Sequence, residues 1–110
     1  MNQVFDALAA DLDWSDLPDD QCPSGPINTG VGVLAETSFV DVGVWQHPRG
    51  MSTDVEADEV FVVLAGAGRV VLADGEVLEL RPGTVGVLTA GTATTWIVDE
   101  PLRKVWVTPR

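Results

Sequence analysis

Glu59 and Lys104 are the two residues of this chain with the most chemistry to offer. Glu59 opens a valine-rich run whose alternation puts it on one side with Phe61 and Val63, away from Val60, Val62 and Leu64. A carboxylate on an apolar face is costly unless it is hydrogen-bonded or paired. It is therefore either a polar anchor or general base in a pocket, or a strand-end acid that reaches solvent or a structural partner. Lys104 is the only lysine in the chain; it shares strand parity with Trp106 and lies opposite Arg103, Val105 and Val107. It either projects inward or snorkels along an apolar surface. An ion pair between Glu59 and Lys104 would satisfy both groups. That arrangement is preferred to a Schiff-base lysine, since an amine nucleophile has to be uncharged to react. Trp45, Trp96 and Trp106 all fall in strand-like segments, with Thr94 on the parity of Trp96. Their indoles are either the walls of a site for a small organic ligand or simple core filling.

The remaining reactive types carry weaker patterns. His47, between Gln46 and Pro48, is expected to be an exposed loop residue, although histidine is the natural acid or base near neutral pH. Asp54, Glu56 and Asp58 could attract a hard cation such as calcium. They lack the glycine and glutamate placement of a dedicated calcium loop, which makes a solvated acidic rim the better account. Cys22 has no evident activating partner. A single histidine gives no basis for a Ser-His-Asp triad. Gly66-Ala67-Gly68 joins two strand-like runs and opens no helix, so it is read as a turn and offers no helix N-terminus to an anion.

The elements that must position these side chains are short and mostly extended. Val4, Phe5 and Leu8 fall at helical spacing, which predicts one short amphipathic helix, and an acidic arm from Asp11 to Asp20 follows it. Pro23, Gly25 and Pro26 then break the chain. From Val31 on, valine-rich runs recur between glycine, proline or acidic turns, the pattern of an all-β barrel or sandwich. Strands are expected at Val31–Ala35, Phe39–Gln46, Val60–Leu64, Gly68–Ala73, Glu76–Leu80, Val85–Thr89, Thr94–Val98 and Leu102–Thr108. Asp74-Gly75 predicts a type I′ hairpin turn, with Leu78 and Leu80 sharing one face beyond it.

At 110 residues, 45% hydrophobic and 21% charged, the chain is one domain's worth and can bury a core without staples. Six basic against seventeen acidic residues give a formal charge of −11, which repels nucleic acid and anionic membrane surfaces. A lone cysteine forms no internal disulfide, and the first ten residues lack the pattern of a signal peptide, so the cytoplasm is the expected compartment.

The series Val44-Trp45-Gln46, Asp58-Glu59 through Ala65-Gly66, Asp74-Gly75-Glu76, Pro82-Gly83, Gly91, Trp96 and Arg103-Lys104-Val105-Trp106 resembles the small single-domain cupins. Among these it is most similar to the third cupin family, which includes ethanolamine-utilisation Q-type proteins and ureidoglycine aminohydrolase cupin domains. The resemblance covers about residues 30 to 110 and implies that the face of Glu59 is a barrel interior. In metal-using cupins two histidines and a glutamate come from the first motif and another histidine from the second. Here those histidine positions fall on Ser52, Asp54 and Thr94. Hydroxyls are poor substitutes for imidazole around a transition metal. Gly83-Thr84 stands where the family has Gly-Asp, and Thr89 replaces the proline before Ala90-Gly91.

The expectation is an all-β cupin jelly-roll barrel over residues 31–110, preceded by a short N-terminal helix or arm over residues 1–30. Its leading function is metal-free, cofactor-free binding of a small polar metabolite among Trp45, Glu59, Phe61, Thr94, Trp96, Lys104 and Trp106. A metal-dependent enzyme of ureide or amine utilisation, implied by the resemblance, is the alternative; it would need improvised ligands such as Glu59, Asp54 and His47. A structural or interaction protein with a solid barrel is the third reading. Valine-rich edges favour a homodimer. Neither nucleic acid nor membrane is an expected partner.

Overall fold

A computed structural model describes residues 2–110. They form one antiparallel eight-stranded system: β1 (Asp13–Asp16), β2 (Asn28–Glu36), β3 (Val40–His47), β4 (Gly50–Val55), β5 (Glu59–Leu72), β6 (Val77–Leu80), β7 (Val85–Leu88) and β8 (Ala93–Pro109). The order is β1-β2-β3-β8-β5-β6, with β4 also pairing β8 and β7 also pairing β5. The all-β expectation holds, and the reason is visible in β5 and β8. These two long strands pair with each other from Val60↔Val107 to Leu72↔Thr94. The first half of β5 takes β7 and its second half takes β6, while β8 takes β4 first and β3 later. One bent pair thus serves as the spine of both halves of the barrel.

The bend corrects the reading of Gly66-Ala67-Gly68 as a turn. The chain stays in β5 through these residues, and the register with β8 shifts between Val63 and Gly68. Gly66 takes φ +93°, open to glycine and strained for other residues. Two short strands expected on either side of it are therefore one, and the same holds across Asp99–Pro101 in β8. The hairpin after β5 is present, but its turn is not type I′. Asp74 keeps negative φ; Gly75 alone is at φ +90°, with its N–H donating to the Leu72 carbonyl at 2.9 Å. This is the longer loop in which a turn is followed by one glycine in the left-handed region. Strand β4 lies outside the expected strands, because Met51-Ser52-Thr53-Asp54 is too polar to read as a buried strand.

Among the described residues no helix forms near the N-terminus, and the expected amphipathic helix is corrected to an irregular segment with a turn at Ala7–Ala9. Val4 and Leu8 remain exposed, so the apolar spacing buries no face. A helix this short is unstable without such a face. Its carbonyls also find a better donor: the Arg103 guanidinium donates to Ala7 O at 3.0 Å, to Ala10 O at 2.7 Å and to Gln46 Oε1 at 2.9 Å. The arm is thereby clasped to the sheet, and β1 extends that sheet by pairing with β2. Apart from a 3-10 turn at Asp19–Gln21 the described residues hold no helix, so none is long and apolar enough to cross a membrane.

The core is Phe61, Val63, Val70, Leu80, Leu88, Trp96, Val98 and Leu102, with Trp45, Leu72 and Leu78 packed against it. It fills the barrel on the β5–β6–β7 side. The buried polar side chains His47, Ser52, Thr94 and Lys104 come from β3, β4 and β8.

Candidate functional site

Alternation along β5 turns Glu59, Phe61 and Val63 inward, and the cross-strand register sets Lys104 beside both Val63 and Trp45. Lys104 therefore enters the interior from the middle of β8. Its Nζ donates to Glu59 Oε2 at 2.7 Å, with the lysine side chain only 6% and the glutamate 16% exposed. Three rings enclose the ammonium: its nitrogen lies 4.6 Å from the Trp45 centroid, 4.8 Å from Phe61 and 4.5 Å from Trp96. The rings support one another, with Trp45 and Trp96 at 5.3 Å and Phe61 and Trp96 at 5.7 Å. Trp106 lies inward as well, packed against Gly43 so closely that a Cβ there would strike the indole. Of the two alternatives for Lys104, the inward one is realised, as an ion pair.

Thr94 is buried but does not touch the pair. Its hydroxyl donates to Glu56 Oε2 at 2.8 Å, and Trp96 Nε1 donates to the same oxygen at 3.1 Å. Glu56 is thus no member of a solvated rim, and that expectation is corrected. Its loop is zipped to the 89–92 turn by Glu56 N–H to Thr92 O and Gly91 N–H to Glu56 O, which swings the carboxylate inward. Burial pushes its pKa up, opposed by the Thr94 and Trp96 hydrogen bonds and helped by the charge of Asp54. Asp54 and Asp58 remain exposed.

His47 is likewise corrected from exposed loop to interior. It is fully buried as the last residue of β3, on the same side as Trp45, and its ring lies 5.2 Å from that indole. Nδ1 lies 2.6 Å from Pro48 O and Nε2 lies 2.9 Å from Ser52 Oγ. Burial lowers its pKa, the Pro48 carbonyl opposes this, and the Lys104 charge adds to the lowering. The signal was available: His47 is two residues from Trp45, so strand parity places both on one face.

Trp45, Ser52, Glu56, Glu59, Lys104 and Trp106 border a cavity of about 370 Å³; His47, Phe61 and Thr94 lie behind this lining and do not border it. A wider concavity of about 650 Å³ adjoins it along Val55, Val71 and Ala93, with no aromatic wall and only Asp20 and Asp54 as charges. The smaller one holds the paired charges and the indoles, so it is the candidate site.

The donor set does not fit a transition metal. Ser52 is engaged by His47 and Thr94 by Glu56, while Asp54 Oδ1 accepts the Val55 N–H at 2.8 Å. Both His47 ring nitrogens have partners. The Glu59 carboxylate already carries an ammonium, whose charge opposes a second cation in the same box. Among the described residues no three histidine, cysteine or acidic side chains converge as a ligand set, and Glu59, Asp54 and His47 form none. Every buried side-chain nitrogen or oxygen among the described residues has a hydrogen-bond partner.

Glu56 makes stability depend on pH. Its folded-state pKa is raised, so its stabilising contribution is complete below about 4.5 and is lost as pH rises through the folded value. His47 acts oppositely: its contribution is complete above about 6.5 and falls away as pH drops from there through its lowered folded value. Glu56→Gln keeps an acceptor for Thr94 and Trp96 while removing the charge. It is expected to melt a few degrees higher than the parent at pH 7 and to converge with it near pH 4. Parallel melting curves across that range would show that the Glu56 carboxylate is not desolvated.

The sequence profile of the EutQ-like cupin domain matches residues 34–106. Among solved structures, the Clostridium difficile EutQ protein superposes with a TM-score of 0.67 at 16% identity, over 86% of this chain and 79% of that one. A candidate ethanolamine utilization protein Q from Salmonella typhimurium LT2 gives 0.66 at 17% identity, over 88% and 94%. Ectoine synthase from P. lautus gives 0.65 at 16%, over 84% and 66%. At these identities the structural likeness speaks for the fold alone. A search of curated proteins finds no match.

Proposed function

This chain belongs to the EutQ-like cupin family, and within that fold we propose that it is a metal-free member whose barrel binds a small polar metabolite. The observation that carries the reading is the Lys104–Glu59 pair, boxed by Trp45, Phe61 and Trp96 and bordering a cavity of about 370 Å³. Small-molecule sites combine such apolar walls with a few convergent polar groups at volumes of roughly 300–1,000 Å³. A ligand here would lay a flat or methylated part on Trp45 and Trp106 and exchange hydrogen bonds with Lys104, Glu59 and Glu56. A solid barrel is disfavoured by the same cavity, which exceeds the ~30 Å³ share of one water many times over.

A thermal-shift panel of small polar metabolites tests the proposal. A compound that raises the melting temperature is expected to bind Glu59→Gln about tenfold more weakly, since a charged acceptor becomes neutral. Unchanged affinity would remove Glu59 from the site.

We also propose that the protein is a cytoplasmic homodimer. The outer face of the barrel carries two cross-strand rows of valine: Val107, Val60 and Val87, then Val105, Val62 and Val85. Val85 and Val87 are 63% and 70% exposed. Chains of charge −11 repel one another, and an uncharged apolar face is where two copies could approach. Sedimentation is expected to give a dimer for the parent and a monomer for Val85→Lys/Val87→Lys. A parent that sediments as a monomer at tens of micromolar would end the proposal.

A further inference from the structure

His47 and Ser52 meet across the β3–β4 connection, and the chemistry of their hydrogen bonds fixes which way the proton runs. Pro48 O can only accept, so the ring nitrogen 2.6 Å from it, Nδ1, carries the hydrogen. In the neutral ring Nε2 is then bare, and the Ser52 hydroxyl 2.9 Å away donates to it. The result is a serine hydroxyl polarised by an imidazole whose tautomer is locked by a third group, the arrangement a serine nucleophile needs. Two further observations set this apart from a purely structural contact. Ser52 borders the candidate cavity, and it is the cross-strand partner of Trp96, one wall of the ammonium box. Lys104, whose Nζ lies 4.5 Å from the Trp96 centroid, borders the same cavity. Burial also keeps the imidazole in the neutral form that can accept a proton.

We propose that Ser52 and His47 form a nucleophile–base dyad for acyl transfer from small activated carboxylic esters entering this cavity, an inference that rests on the cavity being a ligand site. Ser52 Oγ adds to the ester carbonyl carbon while its proton passes to His47 Nε2. The oxyanion so formed lies in the cavity that the Lys104 ammonium also borders. The C–O bond to the leaving group breaks, and the leaving oxygen takes the proton from His47. Water then gives a proton to His47 and adds to the acyl carbon, releasing the carboxylic acid as Ser52 Oγ recovers its proton. One ester and one water become one acid and one alcohol.

The full chain mixed with p-nitrophenyl acetate tests this. The expected result is a burst of p-nitrophenolate stoichiometric with protein, and peptide mapping that places one acetyl group on Ser52. Ser52→Ala loses the burst, Ser52→Cys keeps an acetyl at that position, and His47→Gln slows acylation by roughly 100-fold or more. Acetylation at Lys104 or at surface positions, or a burst undiminished in Ser52→Ala, overturns the dyad; the Ser52 variants decide it even where His47→Gln does not fold. Acetanilide, of similar shape but with a far poorer leaving group, separates the two layers of the inference. If it perturbs tryptophan fluorescence while Ser52 stays unacylated by the ester, the cavity stands and the dyad falls. If neither compound has an effect, the dyad falls together with the cavity as a site for flat acyl compounds.

Discussion

Lys104→Met is expected to destabilise the protein by about 3–5 kcal/mol, because it leaves the Glu59 carboxylate in the interior without its ammonium. The converse change is milder. In Glu59→Gln the amide oxygen still accepts from Nζ, and the ammonium keeps its three aromatic faces, an attraction worth up to ~2 kcal/mol when desolvated. A cost of about 1–2 kcal/mol follows for that variant. Combining the two removes both charges and is expected to recover most of the loss, since a buried pair is often no better than apolar groups of its own size. Chemical denaturation of the four proteins closes the cycle. A Lys104→Met cost below ~1 kcal/mol would mean the pair behaves as a surface salt bridge.

Gly66→Ala is expected to cost about 3 kcal/mol or more. The residue sits at φ +93°, which strains a side-chain-bearing residue by roughly 1–3 kcal/mol. Its Cβ would also run into the Pro101 carbonyl and come within 2.7 Å of Leu102 Cα. Both obstacles are backbone of β8, so no rotamer change relieves them. Gly75→Ala is the internal control. Its φ is +90°, but nothing lies within 4 Å of the added methyl, so it should show the strain alone, about 1 kcal/mol. Equal losses at the two positions, measured by denaturant midpoint, would mean that the β5–β8 bend has room to relax. The bend matters to the site because Glu59 and Lys104 approach each other across these two strands.

How much of this was legible in the sequence depended on whether a signal was local. Alternation put Glu59 on the face of Phe61 and Val63, which the cupin resemblance makes the barrel interior; parity left Lys104 either inward or snorkelling, and the ion pair was the reading that satisfied both charges. The all-β class was legible from valine runs and glycine punctuation. What failed required knowledge of the partner strand. Gly66 and Asp99–Pro101 look like chain reversals in isolation, and only the pairing of β5 with β8 keeps them in strand. Val4, Phe5 and Leu8 suggest a helix until Arg103, about a hundred residues later, takes two of its carbonyls. Glu56 looked solvated beside Asp54 and Asp58; the backbone zipper to Gly91 and Thr92 turned it inward. His47 shares the strand parity of Trp45 and so the inward face, while the proline that follows it resembles the start of a loop.

In the proposed function the interior carries its own cation, Lys104, in place of a metal, and binds ligand on that basis. Calorimetric titration of the strongest compound from the thermal-shift panel tests it most directly, using protein dialysed against EDTA and protein then supplied with manganese or zinc. Equal affinity in both, with loss of binding in Lys104→Met under conditions where that variant is folded, is the predicted result. Binding that appears only after metal is added, with stoichiometric metal retained through gel filtration, would contradict it.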